Sequence, residues 1–422
     1  MTKFQTGKSF AETLDSQDPL SKYRYQFHIP KDKLGNELIY FCGNSLGLQP
    51  KITKKYIDEE LEDWANLGVE GHAQGKHPWL HYHEFLTETS AMLVGAKPIE
   101  VVVMNSLTTN LHLMMTSFYQ PTKTRYKILI ESDAFPSDKY AVESQLRHHG
   151  YDEQEGLILW KPRPNETLLN YEDLETILEK EGDNIALIMI GGVNYYTGQF
   201  FDLKRITTLG HQYGCKVGFD CAHGAGNVDL DLHNSGADFA IWCTYKYMNS
   251  GPGSLSGCFV HERHAFDKKL NRLSGWWNHN KQTRFNMRQE FEVLPGAEGW
   301  QLSNPPILSM AAIRASLDIF KEVGLEALLN KSKLLTGYFE FLLHQIHSDV
   351  IKIITPENPD ERGCQLSIQV KNANRSLHEK LTNSGIITDW REPDVIRCAP
   401  VPLYNTFSEV YEFVERLSEL VK

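Results

Sequence analysis

Two side chains at a set separation carry the chemistry this sequence can do. Asp220 closes a short apolar run at 217–219 and Lys246 follows a second run at 239–243, so acid and amine stand 26 positions apart. His223 lies three residues after the acid, and Tyr245 and Tyr247 flank the lysine ahead of a glycine-rich NSGPGSLSG (249–257). An acid at one strand end and a lysine just past the next suit pyridoxal phosphate (PLP) chemistry. The amine holds the cofactor as a Schiff base, and the carboxylate keeps the pyridine nitrogen protonated so that the ring accepts electrons. Both residues also have plainer readings. A lysine after a strand is commonly solvated, and an Asp there commonly caps a turn. A dinucleotide loop at Gly224-Ala225-Gly226 is excluded, because G-x-G-x-x-G fails at Asp229.

Other candidates stand further along the chain. Ser106, Thr108 and Thr109 open a helical stretch; they can cap it, or its free N–H groups can hold a phosphate. Arg397, in VIRCAP, can grip a carboxylate through two parallel hydrogen bonds or make a surface ion pair. His77, His81 and His83 with Glu84 admit a zinc-hydrolase reading, although positions two apart on a helix face different ways. The seven cysteines (42, 215, 221, 243, 258, 364 and 398) are scattered without a C-x-x-C. That pattern fits free thiols in a reducing compartment. A desulfurase-like activity would need a mobile cysteine facing the cofactor, and Cys364 beside Gly363 is the candidate for it.

The elements that must position these groups follow from periodicity. Apolar runs at 101–104, 127–130, 185–190, 217–219 and 239–243 alternate with helical stretches at 136–146, 170–181 and 203–213. This order predicts an α/β domain with a mostly parallel sheet. Ligands in such sheets sit beyond the carboxyl ends of strands, where Ser106, Asp138, Asn194 and Asp220 all fall. Residues 270–305 are aromatic-rich and irregular, as functional loops often are. Two long helices from about 306 and a mixed tail predict a smaller α+β domain. The expected division is an N-terminal segment at 1–50 packing on the small domain and the active site, a large domain at 51–305 and a small one at 306–422.

Bulk properties narrow the function. The 422 residues carry a net charge of −11, with 41% hydrophobic and 23% charged residues. Such an acidic globular chain is a poor binder of nucleic acid. The sequence has no apolar stretch long enough for a membrane span and opens on a polar MTKFQTGKSF. A cytoplasmic enzyme acting on a small molecule is expected.

Across nearly its whole length the sequence resembles the kynureninase family, PLP enzymes of the fold type I aminotransferase superfamily. The resemblance rests on GNSLGLQP (43–50), NSLTTNLHLMM (105–115), ILIESDAFPSDKYAVESQL (128–146), YYTGQ (195–199), GFDCAHGAGNV (218–228), WCTYKYMNSGPG (242–253), LSGWW (273–277) and SNPPIL (303–308). It implies a large PLP domain with a central sheet between helices, a small α+β domain, and a homodimer sharing its active sites. It implies Lys246 as the Schiff-base lysine and Asp220 as the acid on the pyridine nitrogen. It places Leu107, Thr108, Phe135, Pro136, Ser137, Asp138, His223, Tyr245, Trp276 and Asn304 around the cofactor, the last two across the dimer interface. Ser45, His72 and Asn304 are tied to the aryl ketone, and Arg397 to the substrate α-carboxylate. Tyr245 is the candidate proton relay, and no metal is implied. The reaction implied is hydrolytic cleavage of L-kynurenine or its 3-hydroxy derivative. One departure stands out: Gly191 occupies a position where the family pattern has a small hydroxyl side chain.

Overall fold

The computed structural model describes residues 4–287, 290–346 and 349–421. A short N-terminal strand, β1 (Ile39–Tyr40), precedes the main sheet. That sheet contains β2 (Val101–Met104), β3 (Lys127–Glu131), β4 (Leu157–Trp160), β5 (Ile185–Gly191), β6 (Lys216–Asp220), β7 (Phe239–Cys243) and β8 (Ser256–Val260). Their spatial order is β2-β8-β7-β6-β5-β3-β4. β8 runs antiparallel to both of its neighbours, and the remaining pairs are parallel.

The sequence dictates this burial. β7 is buried at every position and β5 at all but Gly191, as strands covered on both faces must be. Alternate residues then feed two different cores. Ile188, Ile190, Ala240 and Trp242 pack on one face, while Leu187, Met189, Phe239 and Ile241 pack on the other. Helices fill both layers and connect the parallel strands.

A second sheet comprises β9 (Ile351–Ile353), β10 (Leu366–Val370), β12 (Asp389–Arg391) and β13 (Val395–Cys398), in the order β12-β13-β10-β9. Its apolar face and the helices Leu325–Leu343, Arg375–Asn383 and Phe407–Leu420 form a third core. β1 pairs in parallel with β11 (Ile386–Ile387), so the N-terminal segment is stitched to this part of the chain. The same segment reaches the main sheet: the Gly47 N–H donates to the Tyr245 carbonyl at 2.8 Å.

The expected strands and helices are present within a few residues of their ends. Pattern reading passes over β4, and it assigns 256–257 to a glycine-rich turn where β8 in fact begins. β4 is an edge strand, so its side chains are only partly covered and its apolar signal is short. Among the described residues no helix is long and apolar enough to cross a membrane.

Candidate active site

The carboxyl ends of β3, β5 and β6 and the turn after β7 enclose one cleft. Asp220 ends β6 in register with Gly191, which ends β5. Lys246 stands three residues past β7. Two helices point their starts at the same cleft, one at Leu107–Phe118 after β2 and one at Pro136–His148 after β3. The enclosed part is about 100 Å³, with Phe135, 43% exposed, at its rim.

Asn105 builds the first helix start by adopting φ 46°, a left-handed conformation that Asn tolerates. Asn110 then ties the turn by donating to the Met104 carbonyl at 2.9 Å. Ser106 occupies the cap position but makes no capping bond; its hydroxyl meets that of Thr109 at 3.0 Å instead. The second helix has Phe135 at its cap, also without a side-chain bond. Both helices therefore present uncapped N–H groups, and the Thr108 and Ser137 hydroxyls meet between them at 3.0 Å. This is a built anion cradle, and phosphate fits it.

The other end of the cleft is acidic and dry. Burial pushes Asp220 and Asp138 above the usual carboxylate range, Asp138 well above it. The two interact, which raises Asp138 further and favours the charged form of Asp220, as does Lys246. The Ala222 N–H also donates to Asp220 at 2.7 Å. His223 is held well below its ordinary pKa by burial and by Lys246, so it is neutral; its Nε2 lies 3.0 Å from the lysine amine. Burial raises the Tyr245 hydroxyl, which stays protonated. Three buried polar atoms lack partners here: Asp138 Oδ1, His223 Nδ1 and Glu131 Oε2. Polar atoms so placed call for a ligand with complementary groups. A pyridine ring bearing a phosphate supplies them, so the residues present fit PLP.

Of the expected residues, Leu107, Thr108, Phe135, Ser137, Asp138, Asp220, His223, Tyr245 and Lys246 line this cleft. Pro136 does not; it opens its helix. Ser106 and Asn194 stay out as well, Asn194 because its side chain closes the turn at 194–197. Ser45 lines a separate cavity of about 700 Å³ together with Tyr195, Asp389 and Arg391. Tyr195 belongs to both cavities. Arg397 is 1% exposed, donates to the Tyr195 carbonyl at 2.5 Å and pairs with Asp389. His72 sits edge-on to Trp79, and Asn304 is exposed before the helix Ile307–Val323. Trp276 is 45% exposed while Trp277 is buried under Arg284. Of the two tryptophans, Trp276 is the one open to another molecule. One chain alone does not bring His72, Trp276 or Asn304 to Lys246.

Glu131 is the residue that sequence reading missed. It ends β3, lines the cleft and accepts the Gly191 N–H at 3.0 Å. A Cβ at position 191 would lie 2.8 Å from its carboxylate, so Gly191 makes room for an acid. Burial raises Glu131 to about 7. Its signal was a lone glutamate closing an apolar run.

The alternative readings lose their geometry. His77 and His81 turn to Glu60 and Glu84, while His83 meets Glu84 and Glu298 with ligand atoms within 4.8 Å of one another. Lys281 bridges Glu84 and Glu298 at 2.8 and 2.6 Å, filling the place a cation would take. Cys364 is buried and pushed up to about 12, unlike a mobile nucleophile.

Comparison with known proteins decides the family. The chain is 57% identical over 414 residues to the kynureninase of Myxococcus xanthus, covering 98% of this chain and 97% of that one. It is 46% identical to the Mus musculus kynureninase, covering 99% and 94%. Residues 328–417 match the model of the kynureninase C-terminal domain. The chain belongs to the kynureninase family. Kynureninases are PLP-dependent hydrolases of carbon–carbon bonds in ketonic substances. Solved structures agree on the fold. A cysteine desulfurase from Thermococcus onnurineus NA1 superposes with a TM-score of 0.76 at 18% identity, covering 100% of this chain and 99% of that one. The cystine C–S lyase C-DES, in a form with glycine linked to PLP, gives 0.76 at 17% identity, with coverage of 94% and 99%. This is the PLP-dependent fold type I architecture.

Proposed function

We infer that this chain is a kynureninase. It cleaves the Cβ–Cγ bond of L-kynurenine, of 3-hydroxy-L-kynurenine, or of both with water, in tryptophan breakdown. The products are L-alanine and anthranilate or its 3-hydroxy form. One observation carries the reading: Lys246, neutral His223 and the Asp138–Asp220 pair share one cleft with an anion cradle.

PLP, when bound, supplies an electron sink for charge developing at the substrate Cα. The uncapped helix starts with Thr108 and Ser137 would hold its phosphate. Asp220, whose charged form Lys246 and the Asp138 hydrogen bond favour, would hold the proton of the ring nitrogen. Lys246 would hold the cofactor through its amine and, once the substrate amine has displaced it, that freed amine would take the Cα proton as a general base. His223, 3.0 Å away, accepts a hydrogen bond from that amine and orients it. Arg397 grips the substrate carboxylate. Tyr245, protonated through burial, donates toward the γ-carbonyl as water adds there.

The chain divides into the N-terminal segment 1–50, a large domain at 51–305 and a small one at 306–422. Contacts of β1 with β11 and of Gly47 with the Tyr245 carbonyl support the role of the first segment. It works in the cytoplasm as a homodimer whose partner brings Trp276 and Asn304 to the cofactor and with them completes the aryl pocket of Ser45 and His72. The half-exposed Trp276 supports that arrangement. Incubation of purified protein with L-kynurenine and PLP tests the reading: anthranilate and alanine should appear in equal amounts. Absence of both products from the kynurenine and its 3-hydroxy derivative would overturn it.

A further inference from the structure

Arg397 is already engaged. Its Nη2 donates to Asp389 Oδ2 and its Nη1 to the Tyr195 carbonyl, while its Nε is buried without a partner. A guanidinium offers two forks to a carboxylate, Nε with Nη2 and Nη1 with Nη2. Both pass through Nη2, the nitrogen that Asp389 holds. A substrate carboxylate gripped there would share one nitrogen with a second carboxylate, and like charges that close repel strongly in a buried site. Asp389 has another holder. Arg391 Nη2 reaches the same Oδ2 at 3.0 Å. Arg391 is 36% exposed against 1% for Arg397, and both guanidiniums flank the Tyr195 ring, at 5.8 and 5.6 Å from its centroid. The three residues sit where β12 pairs with β13, with Asp389 directly opposite Arg397.

We propose that Asp389 is an internal counter-ion that stands in for the substrate carboxylate on Arg397 and passes to Arg391 when an amino-acid substrate binds. Asp389 is thus a positioning residue that sets selectivity for carboxylates. It keeps the buried guanidinium paired between turnovers, since an unpaired buried charge is costly. It also makes every carboxylate ligand compete with a tethered one, while ligands that lack the carboxylate do not compete. The proposal rests on Arg397 as the carboxylate clamp.

The test uses the PLP-loaded enzyme and two probes, L-alanine and L-alaninamide, with binding read from the visible absorption of the cofactor. Asp389→Asn keeps the side-chain shape and removes the charge. It should tighten L-alanine about 5-fold or more and lower the kynurenine KM more than it changes kcat, as coupling of this kind allows. L-alaninamide should bind as to wild type. Arg391→Ala should weaken L-alanine, because Asp389 loses its alternative partner, and that effect should vanish in the Asp389→Asn/Arg391→Ala double variant. Asp389→Ser serves as a second neutral variant and should act in the same direction. Unchanged or weaker L-alanine binding in both neutral variants would overturn the proposal, because a merely supporting Asp389 would lose affinity when altered. Arg397→Ala separates the two readings. If it leaves the preference for alanine over alaninamide intact, the clamp itself is wrong; if it abolishes that preference while Asp389→Asn changes nothing, only the counter-ion exchange is wrong.

Discussion

In the proposed reaction Lys246 has two duties at one atom, holding the cofactor and moving the Cα proton. Lys246→Ala should therefore lower kcat by about 10³-fold or more, since base catalysis alone is worth 10²–10⁴. Borohydride should fix the cofactor on the parent protein and not on the variant; substantial turnover by Lys246→Ala would refute the assignment. Glu131 makes a different prediction. Its proton is bound up to about 7, above the ordinary carboxylate range, because burial opposes its charge. The folded state thus keeps a proton that the unfolded chain gives up, and stability falls as pH rises toward 7. Glu131→Gln removes that slope. Parent and variant should melt alike below about pH 4, and above pH 7 the variant should be more stable by up to about 3 kcal/mol. Equal melting across this range would show Glu131 ionised without cost. Asp220 and Lys246 were legible in the sequence because each ends or follows an apolar run. Glu131 was not, because nothing in a lone glutamate says that Gly191, 60 residues later, leaves space for it.

The strand-to-helix turns do the work of the site. Each places a polar residue at the carboxyl end of a buried strand and aims helix N–H groups at the same point. The N-terminal loop fixes the lysine turn from outside. A Cβ on Gly47 would lie 2.3 Å from the Lys246 carbonyl and from Asn249 Oδ1, so only glycine lets the loops close on each other. Gly47→Ala should cost about 1–3 kcal/mol, as overpacking does. It should also loosen the cofactor, measured by dialysis against PLP-free buffer; wild-type retention would show that the loop can give way. The sequence marks GNSLGLQP as a break between strand and helix. Its contact with a turn some 200 residues away belongs to packing.

The two sheets and the segment that links them bring Arg397 from the C-terminal part of the chain up to Tyr195 at the edge of the cofactor cleft. They leave Trp276 half exposed, where the proposed homodimer would bring in a second copy. Complementation tests this. Lys246→Ala and Trp276→Ala each damage a different half of a shared site. Dissociated, mixed and reassociated, they should regain about a quarter of wild-type activity, since half the dimers are mixed and each has one intact site. No recovery would place Trp276 in the same chain's site or outside any site. Periodicity in the sequence determined the parallel sheet, because a strand buried on both faces must be apolar throughout. Asp220 and Lys246 could be read from it because one closes such a run and the other follows the next, 26 positions on. Tertiary structure alone decided which acids meet there and which of them burial pushes upward. It also decided that Arg397 is held by Asp389. Burial and distance set those outcomes, and neither is written in residue spacing.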